Sequence, residues 1–256
     1  MNSRNLLLIL FMLLLCKQIS ASKRIDLSGW WKVKADTLSG CVYLPGTLTE
    51  NSFGYLVTDS ATNILSEQVR FTGKAIYERE VEIPSTWVGK TIELFIERTK
   101  VSQVFINGEL VGSQNSVSAP HIFLLKDKFQ IGKNTLTISV DNTKHLLPLG
   151  GSHAYSEHPQ TNWNGILGDF YIRCLDDIDI RGVQVYSHAN GNCWVKTTLL
   201  NTVAEEKRNQ QLTIQINGPA GKNVITKQFT LNVTPGISVH ETLLIVSRPQ
   251  LWDEYT

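Results

Sequence analysis

The chain has 256 residues, with 24 Lys and Arg against 23 Asp and Glu, for a formal net charge of +1. That balance excludes a protein held to nucleic acid by its overall field, because no basic excess exists to displace counterions. Hydrophobic residues at 42% and charged residues at 18% describe a globular chain rather than a disordered one, with length for one large or two ordinary domains.

Residues 1–21 read as a secretory signal. Arg4 gives a positive start, residues 6–15 (LLLILFMLLL) form an unbroken apolar run, and Ser20 and Ala21 are the small residues before cleavage. The run is about half of the roughly 20 residues that a membrane-spanning helix needs. The expectation is a secreted or periplasmic protein with no membrane span. Cleavage would leave 22 basic residues against 23 acidic ones and would remove Cys16. Cys41, Cys174 and Cys193 remain, an odd number with no CxxC pair, so no zinc or redox motif is present. They read as small buried hydrophobes.

The body of the chain reads as strands. Residues 75–83 (AIYEREVEI) alternate apolar and polar and stop at Pro84, and 91–96 and 103–106 follow. Asn107-Gly108 lies between two apolar runs, the strongest short hairpin signal. Further strands are expected at 121–125, 134–140 and 170–175. Frequent Gly and Pro turns between short strands point to a β-sandwich or jelly roll. The amphipathic helices that an α/β barrel requires are absent from the pattern.

A boundary is expected at the acidic stretch Asp176-Asp177-Ile178-Asp179, read as a solvated turn between domains covering 22–176 and 177–256. Beyond it, strands return at 180–186, 193–200, 211–216, 227–233 and 239–246. That spacing suggests an immunoglobulin-like sandwich.

Candidate chemistry concentrates in residues 153–168 (HAYSEHPQTNWNGILG). Sugar hydroxyls need planar amides that both donate and accept, as Gln160, Asn162 and Asn164 can. Sugar C–H faces suit a flat aromatic surface such as Trp163. His153 is a further candidate. The competing reading is that the two Asn side chains make turn hydrogen bonds and Trp163 plugs the sandwich end. A second polar cluster, Ser113-Gln114-Asn115-Ser116 with Pro120-His121, could line the same face or be an ordinary exposed turn. No phosphate loop, HExxH motif or Ser–His–Asp order appears, and no cofactor or metal is expected.

Six short motifs in order resemble the N-terminal part of the family 2 glycoside hydrolases, which include β-galactosidases, β-glucuronidases and β-mannosidases. They are Leu27-Ser28-Gly29-Trp30-Trp31, Leu44-Pro45-Gly46-Thr47, Val104-Phe105-Ile106-Asn107-Gly108 with Val111-Gly112, Gly132-Lys133-Asn134, Asn162-Trp163-Asn164-Gly165-Ile166, and Pro249-Gln250-Leu251-Trp252. The resemblance runs from about residue 25 to 256. It implies an all-β chain: a sugar-binding jelly roll over 22–176, then an immunoglobulin-like sandwich over 177–256 that is incomplete at its C-terminal end.

The resemblance also implies a retaining β-glycosidase acting on a carbohydrate substrate. Its catalytic carboxylates would lie on a following TIM barrel, so no catalytic residue is expected here, and oligomerisation is left open. Jelly-roll loops reach that barrel's pocket in the family, which makes Asn162, Trp163 and Asn164 substrate-binding candidates, with His153 and Gln160 beside them. Phe123-Leu124-Leu125 replaces a common Phe-Asp-Leu, Gly168 stands where many members have Arg, and Thr161-Asn162 occupy the place of an acidic metal ligand. The sugar preferred is therefore open. The alternative is a stand-alone carbohydrate-binding module without hydrolase activity.

Overall fold

A computed structural model describes residues 23–58, 67–147, 162–218 and 221–251. The strands in chain order are β1 (Arg24–Asp26), β2 (Gly29–Ala35), β3 (Leu38–Leu44), β4 (Gly46–Thr47), β5 (Tyr55–Leu56), β6 (Val69–Arg70), β7 (Lys74–Ile83), β8 (Thr91–Arg98) and β9 (Val101–Ile106). Then come β10 (Glu109–Gln114), β11 (His121–Lys126), β12 (Gly132–Asp141), β13 (Gly165–Cys174), β14 (Ile178–Ser187), β15 (Asn192–Asn201), β16 (Lys207–Asn217), β17 (Asn223–Val233) and β18 (Gly236–Ile245). Among the described residues, no helix is long and apolar enough to cross a membrane.

The described chain packs as two units. The first is built from residues 23–88, 94–123 and 128–173, and the second from 89–93, 124–127 and 174–251.

The first unit is a jelly-roll sandwich. One sheet runs β1-β13-β8-β11, with β4 also paired to β13, and the other runs β10-β9-β12-β7-β2-β3. Alternation in the sequence sets which side chains face inward. Along β7, Ala75, Tyr77, Val81 and Ile83 are buried, alternating with outward-facing Lys74, Ile76, Glu78, Glu80 and Glu82. Along β2, Trp31, Val33 and Ala35 point in while Trp30, Lys32 and Lys34 point out. The two inner faces meet at rings such as Trp31 and Phe170, whose centroids lie 5.3 Å apart. Burying each large apolar side chain contributes about 1.5–3 kcal/mol, so this interior holds the sheets together. The β9–β10 hairpin turns at Asn107 and Gly108, with φ of 51° and 85°. Both are positive, as a type I′ turn requires, which is why Asn-Gly occupies those positions.

The second unit is an immunoglobulin-like sandwich in which the three-stranded sheet β14-β15-β18 is covered by the β16–β17 hairpin. Cys193, Val195 and Leu244 form its core, with Ile214, Ile216 and Ile225 packed against them. Arg181 joins Asp179 at 3.1 Å and also bonds Glu93, and Lys207 reaches Asp177 at 2.6 Å. The acidic stretch is thus ion-paired, and Asp179 lies within β14 rather than in a turn.

Cys174 and Cys193 are buried, as the sequence suggested, but Cys41 is exposed. The reason is register: Val42 takes the inward position of β3, which turns Cys41 outward.

Candidate functional site

The Asn162–Gly165 stretch leads into β13, and the fold clamps it from three sides. Gly165 pairs with Thr47 on β4. A Cβ on Gly165 would lie 2.3 Å from the Gly46 carbonyl oxygen, so only glycine lets these backbones approach so closely. From the β8–β9 turn, the Thr99 hydroxyl donates to the Gly165 carbonyl at 2.7 Å. The Leu48 amide donates to the Asn164 carbonyl at 2.8 Å.

The side chain of Asn142, just past β12, forms the third clamp. Its Nδ2 donates to the Phe71 carbonyl at 2.9 Å and the Asn162 carbonyl at 2.7 Å, while its Oδ1 accepts from the Gly73 amide at 2.8 Å. Asn162 returns the contact, its Nδ2 donating to the Asn142 carbonyl at 3.0 Å.

The amides flanking Trp163 are therefore largely used by the fold. Asn164 is buried; its Nδ2 donates to the Gly73 and Val140 carbonyls, both at 3.0 Å, and its Oδ1 accepts from the Tyr77 hydroxyl at 2.8 Å. Burial pushes the Tyr77 phenol well above its ordinary pKa, which keeps it the donor in that bond. Asn162 is also buried, but its Oδ1 has no hydrogen-bond partner among the described residues.

Trp163 is only partly buried. The Lys100 ammonium lies 4.4 Å from the centroid of its ring, in the geometry of a cation–π contact. Burial lowers the Lys100 pKa to about 8, which leaves the cation in place at neutral pH. The patch so built contains a partly exposed indole braced by a cation. It suits a ligand with apolar C–H faces.

Of the residues that the sequence singled out, Asn162, Trp163 and Asn164 come together here. His153 and Gln160 lie outside the described residues. Of the second polar cluster, Ser113, Asn115 and Pro120 are exposed, whereas His121 is buried, with Nδ1 2.7 Å from the Ser102 hydroxyl and Nε2 2.7 Å from the Ser116 carbonyl. Gln114 donates to the Ile122 carbonyl at 2.6 Å.

Sequence reasoning missed Asn142, Tyr77, Thr99 and Lys100. Tyr77 left a signal, since it falls on the inward phase of an alternating strand and a buried phenol needs a partner. Lys100, within Arg98-Thr99-Lys100, looked like any charged turn residue.

No protein-family model matches the chain, and no curated protein matches it. Solved structures do. A β-D-mannosidase from Dictyoglomus thermophilum superimposes with a TM-score of 0.70 at 15% identity, over 90% of this chain and 32% of its own. A putative β-galactosidase from Bacteroides fragilis gives 0.71 at 16% identity, over 90% of this chain and 36% of its own. A glycosyl hydrolase family 2 member from Bacteroides cellulosilyticus gives 0.66 at 14% identity, over 90% and 32%. At such identities the likeness is one of fold. The fold is the one that the six motifs pointed to, and the chain spans about a third of the length of these enzymes.

Proposed function

We propose that this chain is the non-catalytic leading portion of a secreted retaining β-glycosidase, in which the jelly roll helps to hold a carbohydrate substrate. The observation that supports this reading is that 90% of the chain fits within about a third of each of several glycosidases. Hydrolysis with retention would use two carboxyl groups about 5–5.5 Å apart, supplied by a following (β/α)₈ domain of roughly 250 residues. In this reading Trp163 is the contact residue, presenting its ring to the sugar. Asn162 and Asn164 position it.

The test uses the complete gene product and aryl β-galactoside, β-glucuronide and β-mannoside substrates. The complete protein should hydrolyse at least one with retention, and the 256-residue chain none. Trp163→Ala in the complete protein should lower kcat/KM about tenfold or more while moving Tm by no more than a few degrees. Hydrolysis by the 256-residue chain alone, or equal losses of activity and stability in Trp163→Ala, would overturn the reading.

A further inference from the structure

The outward face of the six-stranded sheet carries features that neither the interior nor the Trp163 patch uses. Trp30 on β2 and Tyr43 on β3 are direct cross-strand partners. Their rings stand perpendicular with centroids 5.7 Å apart, yet Trp30 is 66% exposed and Tyr43 49%. The pair is fixed from below. Trp31, the next residue, is buried with its indole nitrogen donating to the Leu27 carbonyl at 2.9 Å. The Asn51 side chain bonds both the amide and the carbonyl of Tyr43, at 2.6 and 3.1 Å. Two large rings are thus held in water on a rigid backbone, with little ordering entropy left to lose on binding.

The same face has a second feature on the strands beyond β2. A hollow of about 250 Å³ opens over Ile76 and Phe105, rimmed by Lys74, Gln103, Thr137 and Ser139. Register joins it to the aromatic pair, because Lys32, Glu78, Thr137 and Phe105 stand in one row across β2, β7, β12 and β9. From β3 to β9 is four strand spacings, roughly 19 Å at about 4.8 Å each.

We propose that this face is a glycan-binding surface separate from the Trp163 patch, on which a neutral polysaccharide segment lies across the strands from the Trp30–Tyr43 platform to the Ile76–Phe105 hollow. Charge and composition decide among occupants. Lys32, Lys34, Lys74 and Lys133 are interleaved with Glu78, Glu80 and Glu82, so the face has almost no net field to draw a nucleic acid or an anionic surface. A stable protein interface buries about 1,200–2,000 Å² around a centre depleted of charge. Here exposed Lys32 and Glu78 occupy the middle, and the apolar groups sit at the two ends. A hydroxyl-rich chain suits this arrangement: its C–H faces cover the rings, and its hydroxyls meet Lys, Glu, Thr and Gln side chains without stripping them of hydrogen bonds.

Native affinity electrophoresis of the full chain provides the test, in gels containing galactomannan, arabinoxylan, mixed-linkage β-glucan or pectic galactan. At least one polymer should retard the protein. Trp30→Ala should weaken that retardation by about tenfold and by more than Trp163→Ala does, and Trp30→Phe should recover part of it. Trp30 lies on the surface, so its variants should keep the parent Tm. The proposal fails if no polymer retards the chain, or if Trp30→Ala and Trp30→Phe both migrate like the parent. It also fails if Trp163→Ala rather than Trp30→Ala abolishes retardation. A dimer in sedimentation that Trp30→Ala dissociates would assign the face to a second copy of the chain and overturn it as well.

Discussion

At the residue scale, His121 is the clearest case of a polar side chain with a structural task. With Nε2 against the Ser116 carbonyl, the neutral ring donates there and accepts the Ser102 hydroxyl at Nδ1. Burial lowers its pKa, partly offset by the bond to Ser116. The unfolded chain therefore takes up a proton below about pH 6.5 that the folded chain resists. The stabilisation is complete above that pH and is lost as pH falls below it. His121→Asn keeps a donor and an acceptor but cannot titrate. Thermal melts between about pH 5 and 7 should show a steeper acid loss for the parent than for this variant, and parallel curves would refute the assignment.

The residue types around Trp163 were legible in the sequence, because amides and aromatics at that density are unusual. Their orientation was not. Whether an Asn faces a ligand or a carbonyl depends on strands remote in sequence, as Tyr77 and Asn164 demonstrate, 87 positions apart.

At the scale of elements, the strands were readable wherever one face is dry and the other wet. β7 and β12 alternate plainly, and both expected strands fall within the observed ones. β3 was missed because Leu38–Leu44 (LSGCVYL) has a glycine, Gly40, in its inward phase and an apolar Cys41 in its outward one, which erases the alternation. The knot around Asn142 was equally hidden. It ties the end of β12 to the Phe71–Gly73 turn and to Asn162, and no local pattern announces such a junction. Asn142→Ala would strip partners from the Phe71 and Asn162 carbonyls and the Gly73 amide. At about 1–3 kcal/mol for each buried group left unpaired, the loss should be about 3 kcal/mol or more, read as a lower urea midpoint at unchanged slope. A loss below about 1 kcal/mol would mean that water replaces these bonds.

At the scale of the molecule, the architecture is two sandwiches whose stability comes from packing rather than from cross-links. No disulfide joins Cys41, Cys174 or Cys193 among the described residues. Melting should therefore be the same with and without a reductant. Among these three, a thiol reagent should modify Cys41 quickly in the folded protein, and Cys174 and Cys193 only after denaturation. Fast modification of either buried thiol would mean that its sandwich opens. The motifs implied a second sandwich, but the sequence alone left its layers undrawn. Its hairpin β16–β17 covers the core through Ile214, Ile216 and Ile225, three branched residues in strands that are polar on their other face.

The outward turn of Cys41 has a practical consequence. Cys41 sits opposite Lys32 on the same face as Trp30 and Tyr43, two residues from Tyr43 along β3, a rise of about 7 Å. The protein thus supplies its own attachment point for an environment-sensitive dye, beside the rings that a bound polymer would cover. Occupancy of that face could be followed optically in a chain that begins at Ser22 and so lacks Cys16, with the two buried thiols left dark.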